Sequence, residues 1–346
     1  MASATTDGPG FLEHARYGKD KVRVLRVVRE GSWHQIVEYN VCALVEGEID
    51  VSYTQADNGV VVATDSIKNI TYYLAKTSPH VLHPERFALH LGTFLLARYA
   101  HLRKAFVTVE QLRWARVAVP GAGAAEATED HAHSFWRDGD EKRVASVEVD
   151  ASKGLDNIIA KVTSGISDLL VLKSTGSAFY GFVKDEYTTL APATDRVFST
   201  AVDARWEFAP IAVLNPLPPS IASDAKALSA FVKDTLAYKF ELGKEESGAG
   251  TPWDGVNIAV AARKATLEVF ATDDSASATL YKMGQRVLAE APHVQRVSYG
   301  LPNKHYVPVD LRWAGLDNVG DGGAGAEVFV PLAAPSGLIS ATIARR

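Results

Sequence analysis

Residues 37–53 read Val37-Glu38-Tyr39-Asn40-Val41-Cys42-Ala43-Leu44-Val45-Glu46-Gly47-Glu48-Ile49-Asp50-Val51-Ser52-Tyr53. Every odd position is valine, tyrosine, alanine, glycine or isoleucine, whereas Glu38, Asn40, Glu46, Glu48 and Asp50 all fall on even ones. That is the two-residue period of a strand with one dry and one wet face. At about 3.3 Å per residue a single strand of this length would run over ~50 Å. The pattern therefore predicts one very long strand, or two joined by a bulge at Gly47. Strands this long belong to a barrel or a tall curved sheet, and the wet face must meet solvent or a water-filled channel.

Working outward, residues 1–14 are small, polar and interrupted by Gly and Pro, which predicts a flexible tail before Tyr17. After the long strand, Pro84 suits the first turn of a helix whose Phe87, Leu91, Phe94, Leu95 and Tyr99 form one apolar stripe. Extended segments follow at 105–119 and 143–149, separated by a Gly-, Ala- and acid-rich stretch, 121–140, read as a loop. A second round begins with a short strand at 169–173 and the alternation of Val202, Ala204, Trp206 and Phe208. Pro216-Leu217-Pro218-Pro219 then breaks the chain, and Ser223 can cap a helix carrying Leu228, Phe231 and Leu236. Further helices are predicted over 258–270 and from about 275, the latter with Leu280, Met283, Val287 and Leu288 on one face. The chain closes on Leu301-Pro302-Asn303-Lys304-His305-Tyr306, read as the mouth of a strand that alternates as far as Trp313. Two successive rounds of paired strands and helices give an α+β fold, with antiparallel sheets and helices packed on one face.

The 346 residues, 47% of them hydrophobic, can bury a large core spread over two domains or a duplicated unit. A net charge of −5 without a Lys/Arg block argues against a nucleic-acid partner, which needs a basic face. No apolar run reaches spanning length, so no membrane is expected, and Met1 to Gly10 is too polar for a secretory core. One cysteine, Cys42, excludes an internal disulfide and fits a reducing compartment.

Several stretches combine groups that suit chemistry. Lys19 enters a strand beside Gly18, where a desolvated amine can serve as a base and a solvated one is only a strand end. Thr64, Asp65 and Ser66 stand where extended chain gives way to helix, a place for an N-cap or for an anion. Phe179 offers a ring face and Arg196 a fork of donors for a planar oxyanion. Asn303 and His305, two apart, share one side of an extended chain, so that an amide which donates and accepts lies beside a titratable ring. His131 and His133 could chelate a metal if both faced one way, but no Cys or acidic ligand cluster accompanies them, and no metal is expected. Gly320 to Gly325 lacks the strand and helix that flank a phosphate cradle.

Taken together, Tyr17-Gly18-Lys19, Val62-Ala63-Thr64-Asp65-Ser66-Ile67-Lys68-Asn69, Val171-Leu172-Lys173-Ser174-Thr175, Asp185-Glu186-Tyr187-Thr188-Thr189-Leu190 and Leu301-Pro302-Asn303-Lys304-His305 occur in an order that resembles the urate oxidase (uricase) family, eukaryotic or fungal in kind. The resemblance implies a tunnelling fold (T-fold) of two ββααββ units, here 15–150 and 151–346, assembled as a homotetramer around a central tunnel. It implies oxidation of urate by O2 to 5-hydroxyisourate and hydrogen peroxide without metal or organic cofactor. By motif, Phe179 would stack on the purine and Arg196 would grip its edge. Thr64, Asp65 and Lys19 would arrive from a neighbouring copy, Lys19, Thr64 and His305 would relay protons, and Asn303 would hold O2 or water above the ring.

Two features depart from the family pattern. Ser275-Ala276-Ser277 runs directly into Ala278-Thr279-Leu280-Tyr281, without the aliphatic-Gln pair that usually intervenes and that clamps urate opposite the arginine. Two residues fewer would turn a helical segment by about 200°. The alternative expectation is therefore a catalytically impaired homologue that keeps the tetramer and binds purines. The chain also ends Ile343-Ala344-Arg345-Arg346 rather than in a Ser-Lys-Leu type signal, so a peroxisomal location rests on the resemblance alone, with cytoplasm as the alternative.

Overall fold

The computed structural model describes residues 8–121, 128–214, 241–242, 255–273, 276–319, 325–332 and 334–346. Strands β1 (Tyr17–Glu30) and β2 (Trp33–Gly47) form an antiparallel hairpin that turns at Gly31, whose φ of 63° lies in the left-handed region. Val37, Tyr39, Val41, Ala43 and Val45 are buried, as the alternation predicts. The strand stops at Gly47 instead of continuing to Tyr53. A Cβ there would lie 2.3 Å from the His101 carbonyl oxygen, and the register to the next strand slips between Glu46 and Gly47. Ile49 N–H turns back to Gly47 O at 2.9 Å, and the chain coils into a short helix, α1 (Asp50–Thr54). Ile49 is nevertheless buried, so the apolar period outlasts the strand.

Helices α2 (Thr64–Thr77) and α3 (Pro84–Arg98) follow. Pro84 occupies the first turn of α3, where its missing N–H leaves no carbonyl unpaired. Phe87 stacks on Tyr39 with ring centroids 5.6 Å apart, and Gly92 allows close approach, since a Cβ there would meet Val149 Cγ2 at 2.7 Å. Strands β3 (Leu102–Pro120) and β4 (Thr128–Asp150) extend the sheet in the order β1-β2-β3-β4. The start of β4 falls inside the stretch read as a loop. Its polar residues are held by β3: the Arg116 guanidinium donates to the carbonyls of His131 and Ala132 at 3.1 and 3.0 Å. Strand β5 (Ile158–Lys173) is much longer than the segment predicted at its end, and β6 (Phe198–Phe208) buries Val202, Ala204, Trp206 and Phe208 as its alternation requires.

The described residues group into two compact units. The first is drawn from the ranges Met1–Gly139, Arg143–Ser164 and Phe208–Trp253, the second from Asp140–Lys142, Gly165–Glu207 and Asp254–Arg346. In the first, β7 (Ile211–Leu214) pairs with the start of β5 and with β8 (Glu241–Leu242). The Glu85 carboxylate, only 2% exposed, is bonded by Arg143 and Ser164 in the same unit, so its charge is matched where water is excluded.

In the second unit the sheet order runs β5-β6-β9, with β9 (Val294–Pro308) also taking β10 (Phe329–Leu332) and β11 (Leu338–Ala344) as antiparallel partners. Helices α4 (Gly255–Thr272) and α5 (Ala276–Glu290) supply Phe270, Leu280, Met283 and Val287 to its core. Arg345 donates to the carbonyls of Leu288 and Ala291 at 2.6 and 2.9 Å, a cation at the open end of α5. Asn303 and His305 stand within β9, not ahead of it. The alternation beyond Pro308 is not a strand: Asp310 accepts the Arg312 N–H at 3.0 Å, and Arg312–Ala314 close a 3-10 turn. Pro216–Pro219 and the Ser223 helix lie outside the described residues. Antiparallel strand pairing together with packed helices confirms the α+β class.

His90 supplies a stability test. Its ring is buried on α3, with Nδ1 2.7 Å from Ser78 Oγ, and burial, reinforced by the neighbouring His80, pushes its pKa from the ordinary 6.5 down to about 4. The unfolded chain binds this proton at higher pH than the folded one. The contribution is thus full above pH 6.5 and lost as pH falls towards about 4. Urea midpoints measured from pH 7.5 down to about 4.5 are expected to fall more steeply for the native chain than for His90→Gln. Parallel curves would contradict the assignment.

Candidate active site

In the first unit, Lys19, Thr64 and Asp65 come together where β1 begins and α2 begins. The Tyr17 hydroxyl accepts the Val62 N–H at 2.7 Å and so ties the strand to the approach of the helix. A Cβ on Gly18 would lie 2.0 Å from the Ala43 carbonyl oxygen, so only glycine lets β1 lie this close to β2. Beyond Lys19 the register slips, with Lys21 at a φ of 57°, which ends regular pairing just past the half-buried lysine. Thr64 is the first residue of α2. The cap position is Ala63, without a side-chain bond, so neither Asp65 nor Ser66 is the N-cap that the sequence allowed. The Asp65 carboxylate instead pairs with Lys68 and accepts from Asn69 Nδ2 at 2.9 Å. The hydrogen bond and charge of Lys68 hold it below the usual carboxylate range, with smaller contributions from Asn69 and from the charge of Lys19. Uncapped N–H groups at the start of α2 leave this corner receptive to an electron-rich ligand or water.

In the second unit, Phe179 and Arg196 face one another. Phe179 exchanges both backbone hydrogen bonds with Ala193, at 2.8 and 2.9 Å, and its ring remains 43% exposed. The Arg196 guanidinium carbon lies 5.2 Å from the Phe179 ring centroid and 6.0 Å from that of Phe198. Phe198 stacks on Phe270 at 5.8 Å, and Lys173 lies over Phe270 at 5.4 Å while donating to the Asp273 carbonyl. Arg196 Nε is buried with no hydrogen-bond partner among the described residues, and burial depresses the guanidinium pKa. A desolvated donor without a partner is costly, and an anionic acceptor relieves that cost.

Asn303 and His305 stand on β9, the strand next to β6, which starts two residues after Arg196. Thr200 Oγ1 donates to Pro302 O at 3.0 Å and Asn303 N–H to Gly337 O at 2.8 Å, which fixes the backbone on both sides of that amide. Pairing with Leu332 of β10 fixes His305. Phe179, Arg196, Asn303 and His305 thus belong to one unit, and Lys19, Thr64 and Asp65 to the other. Each group brings polar side chains together with a backbone or ring face, the first at the start of α2 and the second around Phe179 and β9.

At the corner between α4 and α5, Asp273 takes a hydrogen bond from Thr279 Oγ1 at 2.8 Å and one from Lys282 Nζ at 2.5 Å. Gln285, the next amide along α5, lines a cleft against Ile343 and Arg345 and is not part of either group. The His131 and His133 rings lie 4.5 Å apart, yet among the described residues no group of three or more His, Cys, Asp or Glu is arranged to hold a metal. Motif reading missed two supports, the Tyr17 hydroxyl and the Asp195 carboxylate. Both act on backbone N–H groups, which leave no mark in a sequence.

The sequence profile of a family described as Uricase matches residues 15–148 and 162–340. A uricase of Emericella nidulans is 42% identical over 96% of this chain and 96% of its own length. A uricase of Aspergillus flavus is 41% identical over 96% of this chain and 97% of its own. Among solved structures, the crystal structure of a uricase from Arthrobacter globiformis superposes with a TM-score of 0.74 at 30% identity, covering 98% of this chain and 96% of that one.

Proposed function

The chain belongs to the uricase family, and from that membership we propose that its two side-chain groups are the two halves of one urate site, completed where copies of the chain meet in a homotetramer. Its fold is the T-fold and its activity the oxidation of urate. The observation that carries the site assignment is Arg196, a guanidinium that is desolvated, short of a partner at Nε and set over an aromatic ring.

Arg196 donates along the carbonyl and ring-nitrogen edge of the urate anion while Phe179 stacks on its face. Asn303 holds O2 or water above the ring plane. Deprotonated urate passes an electron to O2, and the two radicals combine at carbon 5 to give a hydroperoxide. Loss of hydrogen peroxide follows, and water adds at the same carbon to give 5-hydroxyisourate. One urate, one O2 and one water become one 5-hydroxyisourate and one H2O2, so atoms and electrons balance. Lys19 and Thr64 from one copy, with His305 of its neighbour, carry the protons that leave urate and water and arrive on peroxide. Asp65, kept charged by Lys68, and the open N–H groups of α2 orient the edge of urate that Arg196 does not reach.

The test is direct. Purified protein mixed with urate in aerated buffer is expected to remove the urate absorbance and to release one H2O2 per urate. An intact oligomer that leaves urate untouched would instead favour the impaired reading, for which the structure offers no separate support.

A further inference from the structure

We propose that Asp195 is a positioning residue: its carboxylate fastens the turn leading to Phe179 onto the segment that carries Arg196, and so sets the spacing of ring and guanidinium that a flat purine anion needs. The proposal rests on the reading of Phe179 and Arg196 as the substrate grip. One Asp195 oxygen accepts the Thr175 hydroxyl at 2.6 Å and the other the Gly176 N–H at 2.7 Å. The backbone N–H groups of Ser177 and Arg196 also favour the ionised carboxylate. Gly176 has a φ of 72°, which lets the turn bring successive N–H groups onto one acceptor, and Ser177 beyond it is buried. A few residues on, the paired hydrogen bonds between Phe179 and Ala193 make a second fastening of the same two segments.

With both ends tied, Phe179 and Arg196 cannot drift apart. The carboxylate also neighbours the guanidinium in sequence without neutralising it. Its lone pairs are occupied by the turn, while Arg196 Nε is left without a partner. Donation from Thr175, the largest influence, holds Asp195 below the usual carboxylate range and keeps it an acceptor. Without these donors the carboxylate would be free to swing onto Arg196 and compete with the substrate.

Asp195→Ala, Asp195→Asn and Arg196→Lys, each as the full chain, separate the possibilities through kcat, KM, thermal midpoint and the Kd of a purine analogue that cannot be oxidised. Asp195→Ala is expected to raise KM and the analogue Kd roughly tenfold with kcat within about threefold. Asp195→Asn, which keeps an accepting oxygen, should recover most of that affinity. On an Arg196→Lys background Asp195→Ala should add little, because both act on one contact. A lowered thermal midpoint with KM and Kd unchanged would overturn the proposal. If Asp195→Ala fails to fold, Thr175→Val removes one donor from the same carboxylate, with an expected rise of about threefold in both constants; unchanged constants would again overturn it. Unaltered analogue affinity in Arg196→Lys would instead bring down the grip reading itself, whereas weakened affinity there and none lost in Asp195→Ala would bring down only the role of Asp195.

Discussion

Arg196→Ala is expected to weaken binding of a non-oxidisable purine analogue by about 100- to 1,000-fold, the loss of two charge-assisted hydrogen bonds. The size follows from where the guanidinium sits. It is already half buried over Phe179 and Phe198, and its Nε has no partner among the described residues, so part of its desolvation is met before an anion binds and the new bonds cost less to make. Calorimetric titration of the variant checks the number, and kcat should change much less than KM because the fork grips substrate and transition state alike. Unchanged affinity would remove Arg196 from the site. Arg196→Lys should recover only a small part, since an ammonium cannot present two parallel donors.

Lys19→Met should show the opposite split. Lys19 is placed by Gly18, which lets β1 lie against Ala43, and its charge is felt at Asp65 on the first turn of α2. A proton carrier held there contributes to the barrier and little to binding. The expected result is a fall in kcat of about 100-fold or more, with analogue affinity within about threefold. Thr64→Val should behave alike and the double variant should lose little more, as members of one relay do. A loss of affinity matching the loss of rate would make Lys19 a binding group instead.

Much of the fold is legible because burial is periodic. Val37 to Val45, Val202 to Phe208 and Leu280 to Leu288 each carry one period, and each became the element it indicates; Pro84 to Leu95 also became the expected helix, but α3 is buried on nearly every face rather than along one stripe. The misreadings have one cause. Periodicity reports which side faces the core, not where the backbone bends: Gly47 bends because a carbonyl from residue 101 lies against it, and Asp310 bends because its carboxylate captures Arg312. The polar start of β4 looks like a loop because what makes it a strand, Arg116 of β3 on its carbonyls, lies far away in sequence. The residues proposed for the site stand in motifs that can be read in the sequence, and the structure divides them between the two compact units. The supporting roles of the Tyr17 hydroxyl and the Asp195 carboxylate were not legible, since groups that hold backbone N–H look like any surface tyrosine or aspartate.

The central claim, that one copy supplies Lys19 and Thr64 while another supplies Arg196 and Phe179, is tested by co-expressing Lys19→Met with Arg196→Ala chains, each nearly inactive alone. Randomly mixed oligomers, verified by native mass spectrometry, should regain up to about a quarter of the sites of the unaltered protein, because that share pairs an intact Lys19 with an intact Arg196 from a neighbour. Mixed oligomers no more active than either variant by itself would contradict it.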